Sequence, residues 1–217
     1  MENSVVLREW FDRVDSEMTG SITAIQLKNA FAIGNLNFPL SVVQQMIRMY
    51  DFDRNGTMSF EEFLALNNFL IKVQQAFSDL ERNRGFLATD DVHEALNKIG
   101  FSLDSPAFYT ACESFDKKKN GRFQLDDFIS LCIFLQSARN LFNAFDTAKQ
   151  GRVTLDLNQF IYCNDYVVVL VFEGGMFLAD NMLPTVEYEV DYTRQTQLQS
   201  SVIVIPLHIR IDHGDCV

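Results

Sequence analysis

A chain of 217 residues with 47% hydrophobic side chains carries enough apolar surface for the core of one large or two small domains. Its 18 Lys and Arg against 29 Asp and Glu leave a formal charge of -11, which argues against a nucleic-acid role through a general basic surface. Glu2, Arg8 and Glu9 interrupt the opening MENSVVLREWF, and the longest apolar run, Tyr166 to Phe172, falls far short of the roughly 20 residues of a membrane helix. Neither a secretory leader nor a span is therefore expected, and a cytoplasmic location is.

Five glycines are each followed two residues later by an apolar side chain: Gly20/Ile22, Gly56/Met58, Gly85/Leu87, Gly121/Phe123 and Gly151/Val153, at spacings of 36, 29, 36 and 30. Two helix-loop-helix units that each own both helices need a longer period than two that share one. The alternation thus predicts pairs of units joined by common helices.

Calcium takes six to eight oxygen ligands, and a twelve-residue EF-hand loop supplies them from positions 1, 3, 5, 7 and 9 and a bidentate Glu at 12, with Gly at 6 for the turn. The first loop, DSEMTGSITAIQ, offers Asp15, Glu17, Thr19, the Ser21 carbonyl and Thr23 but ends on Gln26. A carboxamide gives one uncharged oxygen where Glu gives two, so weak binding or none is expected. The second loop, DFDRNGTMSFEE, meets every requirement with Asp51, Asp53, Asn55, the Thr57 carbonyl, Ser59 directly or through water, and Glu62, flanked by Tyr50 and Phe63 as anchors.

Glu61 to Leu80 then runs without Gly or Pro and is long enough for a rod of about 30 Å. In the third repeat no twelve-residue register works, because Glu81 to Asp91 is eleven residues long. The fourth, DKKKNGRFQLDD, places Lys118 at a ligand position and ends on the shorter Asp127. Both are read as structural loops. Asp126 to Phe145 predicts a second long helix, with Phe128, Leu131, Cys132, Leu135, Phe142 and Phe145 in one stripe that Ile129, Ile133, Phe134 and Leu141 widen. The fifth loop has Ala148 at position 3 and Leu157 at position 12, and its anchor Phe160 lies two residues further on than Phe63 does in the second. It is not expected to bind calcium. The apolar residues at position 8 bridge partner loops, Ile22 to Met58 and Leu87 to Phe123, which leaves Val153 as an unpaired edge suited to a second chain.

These features, and above all DFDRNGTMSFEEF at 51–63 and FDTAKQGRVTLDLNQF at 145–160, resemble the penta-EF-hand family over about residues 3–163. The resemblance implies an all-α fold of tandem EF-hands, with a domain over 1–163 whose hands lie near 15–26, 51–62, 81–91, 116–127 and 146–159. It also implies calcium as cofactor, a homo- or heterodimer through the fifth hand, and apolar surface exposed on calcium binding for protein partners, peptides or membranes. Family members often use their first and third hands, whereas here the second is strongest. The Gly/Pro-rich N-terminal arm common in the family does not precede the first helix, which weakens the expectation of calcium-dependent membrane association.

Residues 164–217 read differently, as a strand-like or disordered tail that stands where the family has the helix completing its fifth hand. His208, Asp212, His213 and Cys216 match no zinc spacing. The four cysteines lack a CxxC pair and read as reduced thiols, and no Ser/His/Asp, Cys/His or phosphate-cradling constellation suggests an enzyme. The functional expectation is a calcium sensor or adaptor. The alternative is a constitutive interaction subunit with mostly vestigial hands.

Overall fold

The computed structural model describes residues 2–167 and a short strand at 202–203. In chain order the elements are α1 (Glu2–Val14), β1 (Ser21–Ile22), α2 (Ala24–Ile33), α3 (Leu40–Tyr50), β2 (Met58–Ser59), α4 (Phe60–Glu81) and β3 (Leu87–Ala88). They continue with α5 (Thr89–Ile99), α6 (Ser105–Phe115), β4 (Arg122–Phe123), α7 (Leu125–Phe145), β5 (Leu155–Asp156), α8 (Leu157–Val167) and β6 (Val202–Ile203).

Local chemistry sets the helix boundaries. Thr23 and Gln26 form a reciprocal capping box at the start of α2, and Ser59 and Glu62 form another at the start of α4. At α6 the Asp104 side chain accepts from the Ala107 amide at 2.9 Å. The two helices that the glycine spacing required to be shared are continuous: α4 has 22 residues and serves hands two and three, and α7 has 21 and serves hands four and five.

Hands pair through two-residue antiparallel strands. Ile22 lies opposite Met58 and Leu87 opposite Phe123, as the position-8 pattern predicts, and all four side chains are buried. The first lobe therefore contains hands one and two, the second hands three and four. Helix α7 packs against α3, α4, α6 and α8, and its residues from Asp127 to Ile133 are all buried. A run buried on every side marks a central helix and not an amphipathic surface one. Gln45 of α3 hydrogen bonds to Ser137 of α7 in this interior, which satisfies two buried polar side chains across the lobes. Cys112 and Cys132 are buried free thiols, and burial together with the nearby Asp116 charge pushes the Cys112 thiol up to about 12.

The fifth hand differs from its sequence expectation in two respects. Its edge strand is Leu155–Asp156, two residues beyond the Val153 position, because the added residues fall before the strand; it pairs with Val202–Ile203 of the same chain. The exit helix that the tail was expected to replace is present as α8, which takes in Tyr166 and Val167 from the run read as strand-like. The remainder of the tail reading, including the His208 to Cys216 group, lies outside the described residues.

Candidate metal centre

The second loop brings its acids together. Oxygens of Asp51, Asp53 and Glu62 lie within 4.8 Å of one another. At that separation each pair of full charges repels by roughly 1 kcal/mol in bulk water and several times more near protein. None of the ion pairs among the described residues involves these three carboxylates. They form a concentrated negative site with which no cation among the described residues pairs.

Backbone amides shape that site. Asp51 accepts from the Asn55 amide through Oδ1 and the Gly56 amide through Oδ2, both at 2.9 Å. Gly56 has φ +76, a conformation that a residue with a Cβ reaches only with strain. The Asn55 carboxamide oxygen accepts from the Thr57 amide at 2.7 Å, and Asp53 Oδ2 accepts from the Asn55 amide nitrogen Nδ2 at 2.8 Å. Glu62 is buried at the head of α4: Oε1 accepts from the Phe52 amide at 2.8 Å, and Oε2 accepts from the Ser59 amide at 2.8 Å and its hydroxyl at 2.9 Å. The two oxygens thus tie both ends of the loop. This hard, oxygen-only donor set suits calcium.

The first loop keeps the frame without the acid cluster. Asp15 is buried and accepts from the amides of Thr19 at 3.0 Å and Gly20 at 2.7 Å. Desolvation works against its charge, but those amides, the Thr19 hydroxyl and the field of Arg8 outweigh it and hold the carboxyl below the ordinary range. The Ser21 carbonyl lies 2.8 Å from the Thr19 hydroxyl, and Gln26 Oε1 already accepts from the Thr23 amide at 2.8 Å. Glu17 finds no third acid here, and the cluster of the second loop has no counterpart in the first among the described residues.

Loops three, four and five retain backbone shape with different chemistry. Position 4 is left-handed at Met18, Arg54, Lys119 and Lys149, a regularity that no residue preference in the sequence announced. In the shortened third loop Arg82 and Asn83 are both left-handed, and Glu81 substitutes for the usual first Asp: its longer side chain reaches the Gly85 amide at 2.7 Å. In the fifth loop Asp146 still accepts from the amides of Gln150 at 2.8 Å and Gly151 at 2.7 Å. There Gln159, not Leu157, fills the closing role, through a reciprocal pair with Asp156 at 2.9 and 2.8 Å. Sequence reading also missed Arg84 and Lys117, which reach the closing carboxylates Asp91 at 2.5 Å and Asp127 at 2.9 Å. Their only sequence signal was basic charge inside loops that otherwise look like sites.

The Arg84 hydrogen bond is the largest influence on Asp91; with the Ala88 amide and the charges of Arg84 and Arg82, it holds that carboxyl below 3.8 against the opposing effect of burial. A depressed folded pKa stabilises the fold fully above the unfolded value and loses that contribution as pH falls through the folded one. Asp91→Asn is therefore expected to flatten the loss of stability below about pH 3.8, as read by urea midpoints measured across that range. An unchanged acid limb would contradict it.

Residues 5–66 match the sequence profile of the EF-hand domain pair. Sorcin of Schistosoma japonicum is 34% identical over 158 residues, covering 71% of this chain and 91% of that protein. The chain belongs to the penta-EF-hand family. Peflin of Danio rerio is 33% identical over 157 residues, but the matched region is 58% of its length, so the chain spans little more than half of that relative. A solved homolog of programmed cell death 6 protein from Leishmania major Friedlin superposes with a TM-score of 0.53 at 29% identity, covering 74% of this chain and 93% of that one. In this member of the penta-EF-hand family, the cluster of three acids found among the described residues falls in the second hand. No described helix is long and apolar enough to cross a membrane.

Proposed function

We propose that this penta-EF-hand protein is a calcium-responsive adaptor whose main site is the second hand. The observation that carries the reading is the convergence of Asp51, Asp53 and Glu62 within 4.8 Å without a basic partner among the described ion pairs. Their side chains, with Asn55, the Thr57 carbonyl and Ser59, would hold the ion. Asp15, Glu17, Thr19, Ser21 and Gln26 form a weaker set. Bound calcium would neutralise the mutual repulsion of the carboxylates.

Glu62 links the site to the fold. Phe63 follows it directly and stacks on Trp10 of α1 at 4.7 Å, while Phe11 meets Phe60 at 5.4 Å. A shift of Glu62 toward an ion would move the start of α4 against α1 and uncover rings of this contact, of which Phe11 and Phe63 are buried, as apolar surface for a protein segment. Assembly through the fifth hand is the expected mode of dimerisation, and a second chain pairing at Leu155–Asp156 would have to displace β6. The reading places the protein in the cytoplasm, with proteins and not nucleic acid as partners.

Trp10 is the chain's one tryptophan and sits on the coupling path. Calcium is expected to change its emission and to increase retention of the chain on a phenyl resin, both reversed by chelator. Emission and retention that ignore calcium would instead mark a constitutive subunit.

A further inference from the structure

In hands three and four the protein's own basic side chains reach the places where a divalent ion would act. Arg84 Nη2 lies 2.5 Å from Asp91 Oδ2, and the same guanidinium donates to the carbonyls of Glu81 and Leu80, each at 3.0 Å. It therefore bridges the C-terminal end of α4, whose carbonyls point to a positive charge, and the carboxylate that opens α5. Arg82 adds a second charge, 3.6 Å from Asp91 Oδ1.

Three consecutive lysines divide the same task in loop four. Lys117 Nζ is 2.9 Å from Oδ1 of the buried Asp127 at the head of α7, and 3.9 Å from Asp126. Lys118 donates to Gln124 at position 9 at 3.2 Å, and Lys119 to the Glu113 carbonyl at the end of α6 at 2.7 Å. Entering helix, loop and exit helix are all tied by ammonium groups. The first lobe differs at its closing residues: among the described residues the donors to Glu62 are neutral, and Gln26 carries no charge to compensate.

We propose that Arg84 and Lys117 serve as tethered cations in place of a divalent ion, holding the second lobe in its loop-closed form whether or not calcium is present. The calcium response is then confined to the first lobe, whichever of its hands binds. A buried carboxylate such as Asp127 loses most when its single close cation is removed, because the remaining charge is left uncompensated.

The test uses the full chain in chelator, unfolded by urea, with Lys117→Met, Asp127→Asn and the double variant, and the matching set Arg84→Met, Asp91→Asn and their double. Each single change is expected to raise the unfolding equilibrium constant by about tenfold, and each double by no more than its worse single. Lys117→Arg, which keeps the charge, is expected to stay near wild type and serves if the methionine variant does not fold. Hydrogen exchange of the Leu87–Ala88 and Arg122–Phe123 strands should be the same with calcium and with chelator. Additive double variants, or second-lobe amides that lose protection in chelator, would overturn the proposal. A first lobe indifferent to calcium would sink the adaptor reading and leave this one standing.

Discussion

Glu62→Gln is expected to remove the main calcium-binding event, lowering affinity at the second hand on the order of a hundredfold. The substitution deletes a negative charge and the second carboxylate oxygen from a site built on three converging acids. The local fold should survive, because the first hand already shows the outcome: Gln26 completes the same capping box with Thr23 that Glu62 completes with Ser59. Loss of binding would then report ligand chemistry and not a broken helix. Calorimetric calcium titration of the two proteins decides it, and wild-type stoichiometry and affinity in the variant would refute the assignment. The reverse change, Gln26→Glu, is the companion, expected to strengthen or create binding at the first hand.

Phe128→Ala is the largest stability effect expected. The side chain is fully buried in α7, with its ring 6.0 Å from that of Phe77 in α4, so it joins the two shared helices. Truncating a buried phenylalanine costs about 3–5 kcal/mol, a large part of the roughly 5–15 kcal/mol that holds a domain together. Urea unfolding should show that drop, whereas Phe52→Ala, at a loop side chain 73% exposed, should change stability by no more than about 0.5 kcal/mol. A Phe128→Ala loss below about 1 kcal/mol would mean that α7 is not the central support its burial indicates.

Much of the architecture was legible because it rests on short-range rules. Glycine spacing located the loops and the shared helices, and the position-8 residues identified the strand partners, since both follow from what twelve consecutive residues must do around a turn. The boundary of the fifth hand was less legible. Its extra two residues shifted the strand from Val153 to Leu155, and only the Asp156 and Gln159 pairing shows where the exit helix begins. Composition alone also left Gln45 and Ser137 as unremarkable polar residues 92 positions apart.

The sequence by itself named the candidate ligands of the second hand and the departures of the other loops from the twelve-residue calcium pattern, because residue type and position are local properties. It placed the basic Lys118 at the third position of the fourth loop, but it could not tell what that charge and its neighbours touch. Only the tertiary structure decided that Lys117 meets Asp127 and that Arg84 spans the end of α4 and Asp91. Long, flexible basic side chains reach across a loop in directions that spacing does not encode, and their partners exist only once the helices on either side are in place.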